Sequence, residues 1–221
     1  MKVTRVERII ENKYSLLLFS LVLLIALSPF TNATPLRRFF TEALLFMAII
    51  LILLRILGAK GVFFLVFVLL ALAACLLDYL SVAVMNNWHL EMFSCGVYTL
   101  YIGVILVYLM RKIFAERTVT ADTVKGSISI YLLMGIWFQL IYSMLWMFNP
   151  AAFSSAGSSG PPDFFYFSFS TMTTLGYGDM VPKSTAARTT AILQAMAGQM
   201  YLAILVARLV GLHISHRKTG E

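Results

Sequence analysis

Long apolar stretches, separated by short polar breaks, dominate the pattern of this chain. A helix that crosses a lipid bilayer needs roughly 20 mostly apolar residues, and several stretches reach about that length. They lie at about 14–30, 39–57, 62–84, 92–110, 127–148 and 186–213. Residues that interrupt helices stand between them, in the segments Pro29–Pro35, Gly58–Gly61, Asn86–Asn87 and Ser154–Pro162. The pattern predicts an all-α membrane protein with six transmembrane helices.

A further apolar and aromatic stretch, Phe164–Thr173, is too short to cross a bilayer. It follows Asp163, and aspartate is a favoured residue at the N-terminal end of a helix. Backbone that enters a membrane without crossing it must be shielded from lipid by other protein. The sequence therefore predicts a short re-entrant helix over residues 163–173, between the last two spans.

The first span has an alternative interpretation as a signal peptide. Residues 16–27 resemble the apolar core of such a peptide, and Thr31–Ala33 would be a loose cleavage site. However, the preceding segment is long and contains Glu7 and Glu11, which is atypical of a signal peptide. A retained first span is the favoured interpretation.

Composition supports a membrane protein and excludes several other classes. Hydrophobic residues make up 60% of the chain and charged residues only 12%, whereas soluble domains have about 45–50% and 25%. These values exclude a disordered chain, a nucleic-acid-binding arm and an ordinary soluble enzyme. Cys75 and Cys95 both lie in apolar stretches and are interpreted as small buried residues.

The distribution of basic residues predicts the orientation. The chain has 17 Lys and Arg residues against 10 Asp and Glu, which gives a formal charge of +7. With the N-terminus in the cytoplasm, only Arg37, Arg38, Lys183 and Arg188 fall outside. Because cytoplasmic loops are enriched in Lys and Arg, both termini are expected in the cytoplasm of a multi-pass cell-membrane protein, and no nucleic-acid partner is expected.

The segment after the short helix reads Thr174-Leu-Gly-Tyr-Gly-Asp179, in which glycines alternate with residues that carry side chains. Glycine adopts backbone conformations that side chains forbid, so such a run can point successive carbonyls in one direction. Carbonyl oxygens that face an axis can replace the water around a bare cation. The negative end of the dipole of the short helix would point to the same place.

This segment resembles the filter signature of the potassium-channel family, with Leu175 at a position where valine is commoner. The resemblance covers a pore domain at 127–221, with an outer helix at 127–148, a pore helix at 163–173, a filter at 174–178 and an inner helix at 186–213. It implies a homotetramer, because one chain supplies only one wall of the filter. It also implies that K+ is the permeant ion, held only at the filter, by the carbonyls of Thr174, Leu175, Gly176 and Tyr177 and the Thr174 hydroxyl.

The resemblance also assigns roles around the filter. Gly178 would complete the outer mouth, and Tyr177 would face away from the axis and hold the filter open. Asp179 would stand at the outer mouth, either as a support of the filter or as a solvated acid that concentrates cations. Many bacterial relatives have an acid at the position of Ser170, so we expect Tyr166 to take over as the partner of Asp179.

In the inner helix, Gly198 lies where the family has its hinge glycine. A glycine weakens a helix by about 0.5–1 kcal/mol relative to alanine, which favours bending, but a small residue also allows close helix packing. Helical spacing places Gln199, Leu202, Val206, Val210 and Ile214 toward the pore. Val206, Val210 and Ile214 are the predicted gate residues, and a ring of Val210 and Ile214 could stop ions by dewetting.

Residues 1–110 are predicted to form a four-helix transmembrane module. A voltage sensor carries Arg or Lys repeatedly along its fourth span, whereas this fourth span has none before Arg111. The module is therefore a sensor fold without sensor charges or an unrelated helical module. Residues 111–126 are predicted to form a linker helix on the cytoplasmic interface, either as a passive anchor or as a connection to the gate.

Charged residues within the spans are few, and charge in hydrocarbon requires a partner or water. Glu42 and Arg55 are most simply explained by side chains that reach the interface. Asp78 lies deeper and is a candidate for pH sensing, with Glu42 as a second candidate.

The predicted function is a passive potassium-selective channel without a classical voltage sensor or an appended cytoplasmic ligand domain. The alternatives are a weakly selective cation channel and a membrane subunit of a larger transport complex. No enzymatic motif and no cofactor-binding motif was found in the sequence, so neither catalysis nor a cofactor is expected. The expected partners are K+, the bilayer and further copies of the chain. Whether a separate regulatory protein also binds is left open by the sequence.

Overall fold

The computed structural model describes residues 13–27, 69, 76, 88–116, 120–155 and 162–218. In this part of the chain the helices are α1 (Lys13–Leu27), α2 (Trp88–Ala115), α3 (Ala121–Phe148), α4 (Phe164–Met172) and α5 (Thr185–Lys218). A 3₁₀ turn at Pro150–Ala152 is followed by strand β1 (Phe153–Ser155), and strand β2 (Met180–Pro182) precedes α5.

Three of these helices contain segments that are long and apolar enough to cross a membrane, His89–Ala115, Ala121–Phe148 and Thr185–Gly211. They correspond to the predicted spans at 92–110, 127–148 and 186–213. The first is longer at both ends, the second begins six residues earlier, and the third begins one residue earlier and ends two residues earlier. The first predicted span corresponds to α1, whose apolar part is the shorter Tyr14–Leu27. The predicted spans at 39–57 and 62–84 lie outside the described residues, apart from residues 69 and 76.

The structure differs from the predicted linker helix over residues 111–126. Helix α2 continues to Ala115, and α3 begins at Ala121, so the two ends of the predicted linker belong to these longer helices. Arg111 and Lys112 lie in the last turns of α2, where positive charge is favourable for the helix dipole. Thr120 caps α3, because its hydroxyl accepts a hydrogen bond from the backbone N–H of Thr123 at 3.2 Å.

The chain divides into two compact units. The described part of the first unit contains α1, the beginning of α2 as far as Ser94, and Thr120–Ser129. In this unit the Asp122 carboxylate accepts a hydrogen bond from the backbone N–H of Tyr14 at 3.2 Å. The Lys125 ammonium donates to the Ser15 hydroxyl at 2.8 Å. The beginning of α1 is therefore bound to the first turns of α3 of the same chain, and an acid lies where the α1 dipole is positive.

The second unit contains α2 from Cys95, α3 from Ile130, and the later elements. Helices α2 and α3 are in close contact here. The Trp137 indole donates to the Thr99 carbonyl at 2.8 Å, and a Cβ at Gly103 would lie 3.0 Å from the same indole nitrogen. Cys95 is buried and its thiol donates to the Leu140 carbonyl at 3.6 Å, in agreement with its predicted buried position.

Strands β1 and β2 form a small antiparallel pair that was not predicted. Phe153 is opposite Pro182, and Ser155 is opposite Met180. The Lys183 N–H also donates to the Ala152 carbonyl at 2.7 Å. This pairing joins strand β2, which comes directly after residues 174–179, to strand β1, which comes shortly after α3.

Helix α4 is embedded in an aromatic cluster formed by Tyr142, Phe153, Phe164 and Phe167. The Phe167 ring is T-shaped against Tyr142 at 4.9 Å and against Phe153 at 5.5 Å between centroids. Such pairs add about 0.5–1.5 kcal/mol each beyond the burial of their area. The cluster fixes one side of α4 against α3 and β1.

Candidate functional site

The site is built on the short helix α4. Its N-terminus is capped as predicted, because the Asp163 carboxylate accepts a hydrogen bond from the Tyr166 N–H at 3.0 Å. Helix α4 approaches α3 closely at Gly135, where a Cβ would lie only 2.7 Å from the Phe169 ring. A larger residue at position 135 would therefore force the Phe169 ring to shift.

The C-terminal end of α4 is unusually well provided with hydrogen bonds. The last four carbonyls of a helix have no partner within the helix itself. Here the Phe169 carbonyl accepts from the N–H of Thr173 at 3.0 Å, and the Thr171 carbonyl accepts from the N–H of Thr174 at 3.2 Å. The Met172 carbonyl accepts from the Tyr131 hydroxyl and the Gln199 amide, both at 3.3 Å.

The Ser170 carbonyl, the remaining one of the four, accepts from the N–H of Leu175 at 2.9 Å and that of Gly176 at 3.3 Å. The Ser170 hydroxyl also accepts from the Gly176 N–H, at 3.1 Å. Ser170 is buried. A single residue of α4 therefore holds two consecutive N–H groups of the segment that follows.

The backbone of residues 174–178 alternates in handedness. The φ angle is positive at every second residue, with values of 61° at Thr174, 53° at Gly176 and 83° at Gly178. Glycine accepts this region without strain, but a β-branched threonine does not. Strain of this kind, about 1–3 kcal/mol, concentrates at functional sites, where the surroundings impose it.

In residues 174–177 the backbone carbonyls and the backbone N–H groups differ in their hydrogen bonding. Among the described residues, no hydrogen bond of the chain reaches the carbonyls of Thr174, Leu175, Gly176 or Tyr177, although the N–H groups of Leu175 and Gly176 are bound to Ser170. Residues 173–179 are all exposed. The segment is thus exposed and its carbonyls accept no hydrogen bond from the described residues, while the N–H groups of Thr174, Leu175 and Gly176 are bound to α4.

Tyr166 and Asp179 are brought together as expected from the sequence. The Tyr166 hydroxyl donates to the Asp179 carboxylate at 2.9 Å, and its ring stacks on Tyr177 with an angle of 8° and 6.5 Å between centroids. Partial burial, together with the bond to Asp179 and its charge, raises the pKa of Tyr166 above its usual 10.0. The hydroxyl is therefore a donor at neutral pH, and it connects α4 to the residue that follows Gly178.

The predicted hinge residue Gly198 lies against α4. A Cβ at this position would be 2.7 Å from Met172 Cγ and 3.3 Å from the Met172 carbonyl oxygen. This distance gives Gly198 a packing reason to be glycine, whereas a hinge role remains a prediction. The next residue, Gln199, is exposed, and its amide is the one that donates to the Met172 carbonyl.

Of the predicted gate residues, Val206 and Val210 are 58% and 52% exposed on α5. They are one helical turn apart and so share one face. Ile214 belongs to α5, but its side chain lies outside the described part of the structure, as do Glu42 and Asp78 altogether. Their predicted roles stay predictions.

Gln194 is the residue near the site that the sequence reasoning missed. It lies on α5, is fully buried, and its side chain reaches Ser168 of α4 and Tyr142 of α3. The available signal was a polar side chain within an apolar span, because such residues are costly in a membrane unless they are hydrogen-bonded.

Comparisons with known proteins agree with this geometry. Residues 128–213 match the model of a family described as "Ion channel". The chain is 32% identical over 110 residues to the voltage-gated potassium channel Kch of Escherichia coli (strain K12), an alignment that covers 48% of this chain and 24% of that protein. The chain thus spans about a quarter of the length of the curated relative it matches. No solved structure matches it significantly.

Both matches are to channels, and the family match contains α4, the segment after it and most of α5. The comparisons are therefore with channels and not with enzymes. Residues 128–213 of this membrane protein are therefore similar to an ion-channel domain.

Proposed function

We propose that this protein is a potassium-selective channel that conducts K+ passively across the cell membrane. The observation that carries the proposal is the row of carbonyls at 174–177, which have no partner among the described residues, while Ser170 binds the neighbouring N–H groups. Carbonyl oxygens arranged around an axis replace the hydration shell of K+. The Thr174 hydroxyl and Gly178 complete the proposed filter.

The proposed channel is a homotetramer, because one chain offers one strip of carbonyls and an ion must be surrounded. The single chain leaves Leu175 54% and Tyr177 71% exposed. Helix α5 also exposes large apolar side chains, namely Ile192, Leu193, Met196, Met200, Leu202, Ile204, Val206 and Val210. Those that do not face the pore would pack against neighbouring copies, and this packing would act through van der Waals contacts, because lipid tails are as apolar as the side chains. In this arrangement Leu202, Val206 and Val210 line the inner pore.

The proposed topology has six spans, with both termini in the cytoplasm and Asp179 at the outer mouth. Opening is proposed to be weakly voltage-dependent, because the part of α2 before Arg111 carries no Lys or Arg to move in the field. Asp78 remains a candidate pH sensor, with Glu42 as an alternative. An unchanged pH dependence of the current in Asp78→Asn would exclude the first of these.

Flux from reconstituted vesicles tests the proposed function. Vesicles that contain the purified protein and potassium are diluted into sodium buffer without nucleotide, and potassium efflux is followed with a potential-sensitive dye. We expect an inside-negative potential, and its loss in Gly178→Ala, because φ is +83° at Gly178 and a side chain there is strained. No potential in the wild type would contradict potassium selectivity, and a requirement for a partner protein would support the transport-complex alternative.

A further inference from the structure

A closed set of hydrogen bonds joins α3, α4 and α5 behind the proposed filter. The Gln194 amide on α5 donates to the carbonyl of Ser168 at 3.0 Å and to its hydroxyl at 2.7 Å. The Gln194 carbonyl oxygen accepts from the Tyr142 hydroxyl of α3 at 2.6 Å. The Ser168 hydroxyl then donates to the carbonyl of Gly135, also on α3, at 2.6 Å.

Each side-chain donor in this set has a partner. The two amide hydrogens of Gln194 and the hydroxyl hydrogens of Tyr142 and Ser168 are all used. All three side chains have a relative exposure of 0%. In the interior of a membrane protein no water is available to replace a broken hydrogen bond. These bonds therefore favour a single arrangement of the three helices relative to one another.

The placement of α4 is coupled directly to the filter. Ser168 and Ser170 are two residues apart on the same nine-residue helix. Ser170 in turn binds the N–H groups of Leu175 and Gly176. A shift of α4 relative to α5 therefore displaces the residue that holds the filter backbone.

We propose that Gln194 is a positioning residue for ion selectivity. Its amide clamps α4 between α3 and α5, so that Ser170 holds the filter backbone at the spacing that suits K+. This inference rests on the proposed function, since it assumes that residues 174–178 form the filter. Gln194 touches no ion, and its effect passes through Ser168 and Ser170.

The test compares reversal potentials in planar bilayers for the wild type, Gln194→Leu and Tyr142→Phe, with potassium on one side and sodium on the other. Gln194→Leu removes both bonds to Ser168 and leaves the Tyr142 hydroxyl without its buried acceptor, so we expect the permeability ratio of K+ to Na+ to fall about tenfold. Tyr142→Phe keeps the Gln194 bonds to Ser168 and should lower the ratio by about threefold. The double variant should resemble Gln194→Leu, because the two residues share one interaction.

Thr190→Val is the matched control, since Thr190 lies one turn earlier on α5 and its hydroxyl, among the described residues, bonds only to the Ala186 carbonyl of its own helix. Thermal unfolding of each assembled variant is measured in parallel. Lower thermal stability with an unchanged permeability ratio in Gln194→Leu and Tyr142→Phe would overturn the proposal, because that is the signature of a purely structural clamp. If Gln194→Leu fails to assemble, Tyr142→Phe and Ser168→Ala decide by the same criterion.

The two proposals fail in different ways. A wild-type channel without potassium selectivity contradicts the proposed function. If the wild type is selective but Gln194→Leu, Tyr142→Phe and Ser168→Ala all have the same K+ to Na+ permeability ratio as Thr190→Val, the role of Gln194 is contradicted and the proposed function stands.

Discussion

The Ser170 hydroxyl accepts a hydrogen bond from the backbone N–H of Gly176 at 3.1 Å. In many bacterial potassium channels, which this sequence resembles, an acid occupies the position of Ser170. A hydroxyl is a smaller and neutral acceptor, and here it is used on the backbone of the candidate filter itself. The partner of Asp179 is instead Tyr166, which lies on α4 four residues before Ser170.

The first prediction concerns this bond. In Ser170→Ala the Gly176 N–H keeps only the longer contact to the Ser170 carbonyl, at 3.3 Å. We expect the permeability ratio of K+ to Na+ to fall by about three- to tenfold, because a lost hydrogen bond of this kind is worth about 0.5–1.5 kcal/mol. Reversal potentials measure the effect, and Ser170→Thr, which keeps a hydroxyl, serves as the control. Equal ratios in the alanine variant and the wild type would remove Ser170 from the filter support.

The second prediction concerns Tyr166 and pH. The pKa of the Tyr166 hydroxyl is raised above 10.0, so its bond to Asp179 contributes fully below pH 10 and is lost as the pH rises through the higher folded-state value. Tyr166→Phe should therefore lower the thermal stability of the assembled channel from pH 7 to 9, and its difference from the wild type should shrink at higher pH. A difference that is constant up to strongly alkaline pH would contradict the role of this hydrogen bond.

The third prediction separates the two explanations of Gly198. If the residue is glycine because of packing, Gly198→Ala should cost about 1–3 kcal/mol, since the added Cβ overlaps Met172. Shortening the neighbour in Met172→Ala should then reduce the cost of Gly198→Ala, as a double-mutant cycle of unfolding free energies would reveal. If bending is what matters, Gly198→Ala should instead lower the open probability, and Met172→Ala should not restore it.

The fourth prediction concerns the contact of α2 with α5. The Phe114 ring lies edge-on to Tyr201 at 6.3 Å, and the Arg208 guanidinium lies 5.2 Å from the Phe114 centroid and donates to the Glu116 carbonyl. Phe114→Ala should destabilise the assembled protein by about 1–2 kcal/mol, because both ring interactions are lost. Phe114→Leu, which keeps apolar volume without a ring, should lie between the alanine variant and the wild type. Equal melting temperatures of all three proteins would argue against this contact.

The fifth prediction concerns ion removal. A ligand that binds only the folded state stabilises it by about 2.7 kcal/mol at a hundredfold excess over Kd. Replacing potassium by sodium should therefore lower the melting temperature of the assembled channel. Gly178→Ala, whose filter backbone is strained, should be less sensitive to the exchange. The same melting temperature in both ions for the wild type would argue against a potassium site at residues 174–178.

Sequence reasoning and structure agree where long-range packing is not needed. Apolar length identifies α2, α3 and α5, and the Asp163 cap locates the beginning of α4. By contrast, β1 and β2 have only three residues each and no alternation of apolar and polar positions, so their pairing depends on contacts that a single sequence does not reveal. The basic residues Arg111 and Lys112 predict a separate linker at the interface, whereas α2 continues through them to Ala115.

In the candidate site, too, some features are predicted by the sequence and others depend on packing. The residues of the proposed filter follow from the glycine pattern and the resemblance. The bonds that hold them, from Ser170 to Gly176 and from Gln194 to Ser168, join residues whose facing positions are set by the packing of three helices. The φ of 61° at Thr174 is a further example, since threonine alone does not predict a left-handed conformation.

Potassium selectivity is the central claim, and the reversal potential of the wild type in planar bilayers tests it most directly. With potassium on the cytoplasmic side and sodium outside, the current should reverse near the potassium equilibrium potential, and opening should depend weakly on voltage. A reversal potential near zero would contradict the claim, because the carbonyls of residues 174–177 would then not discriminate between the two ions.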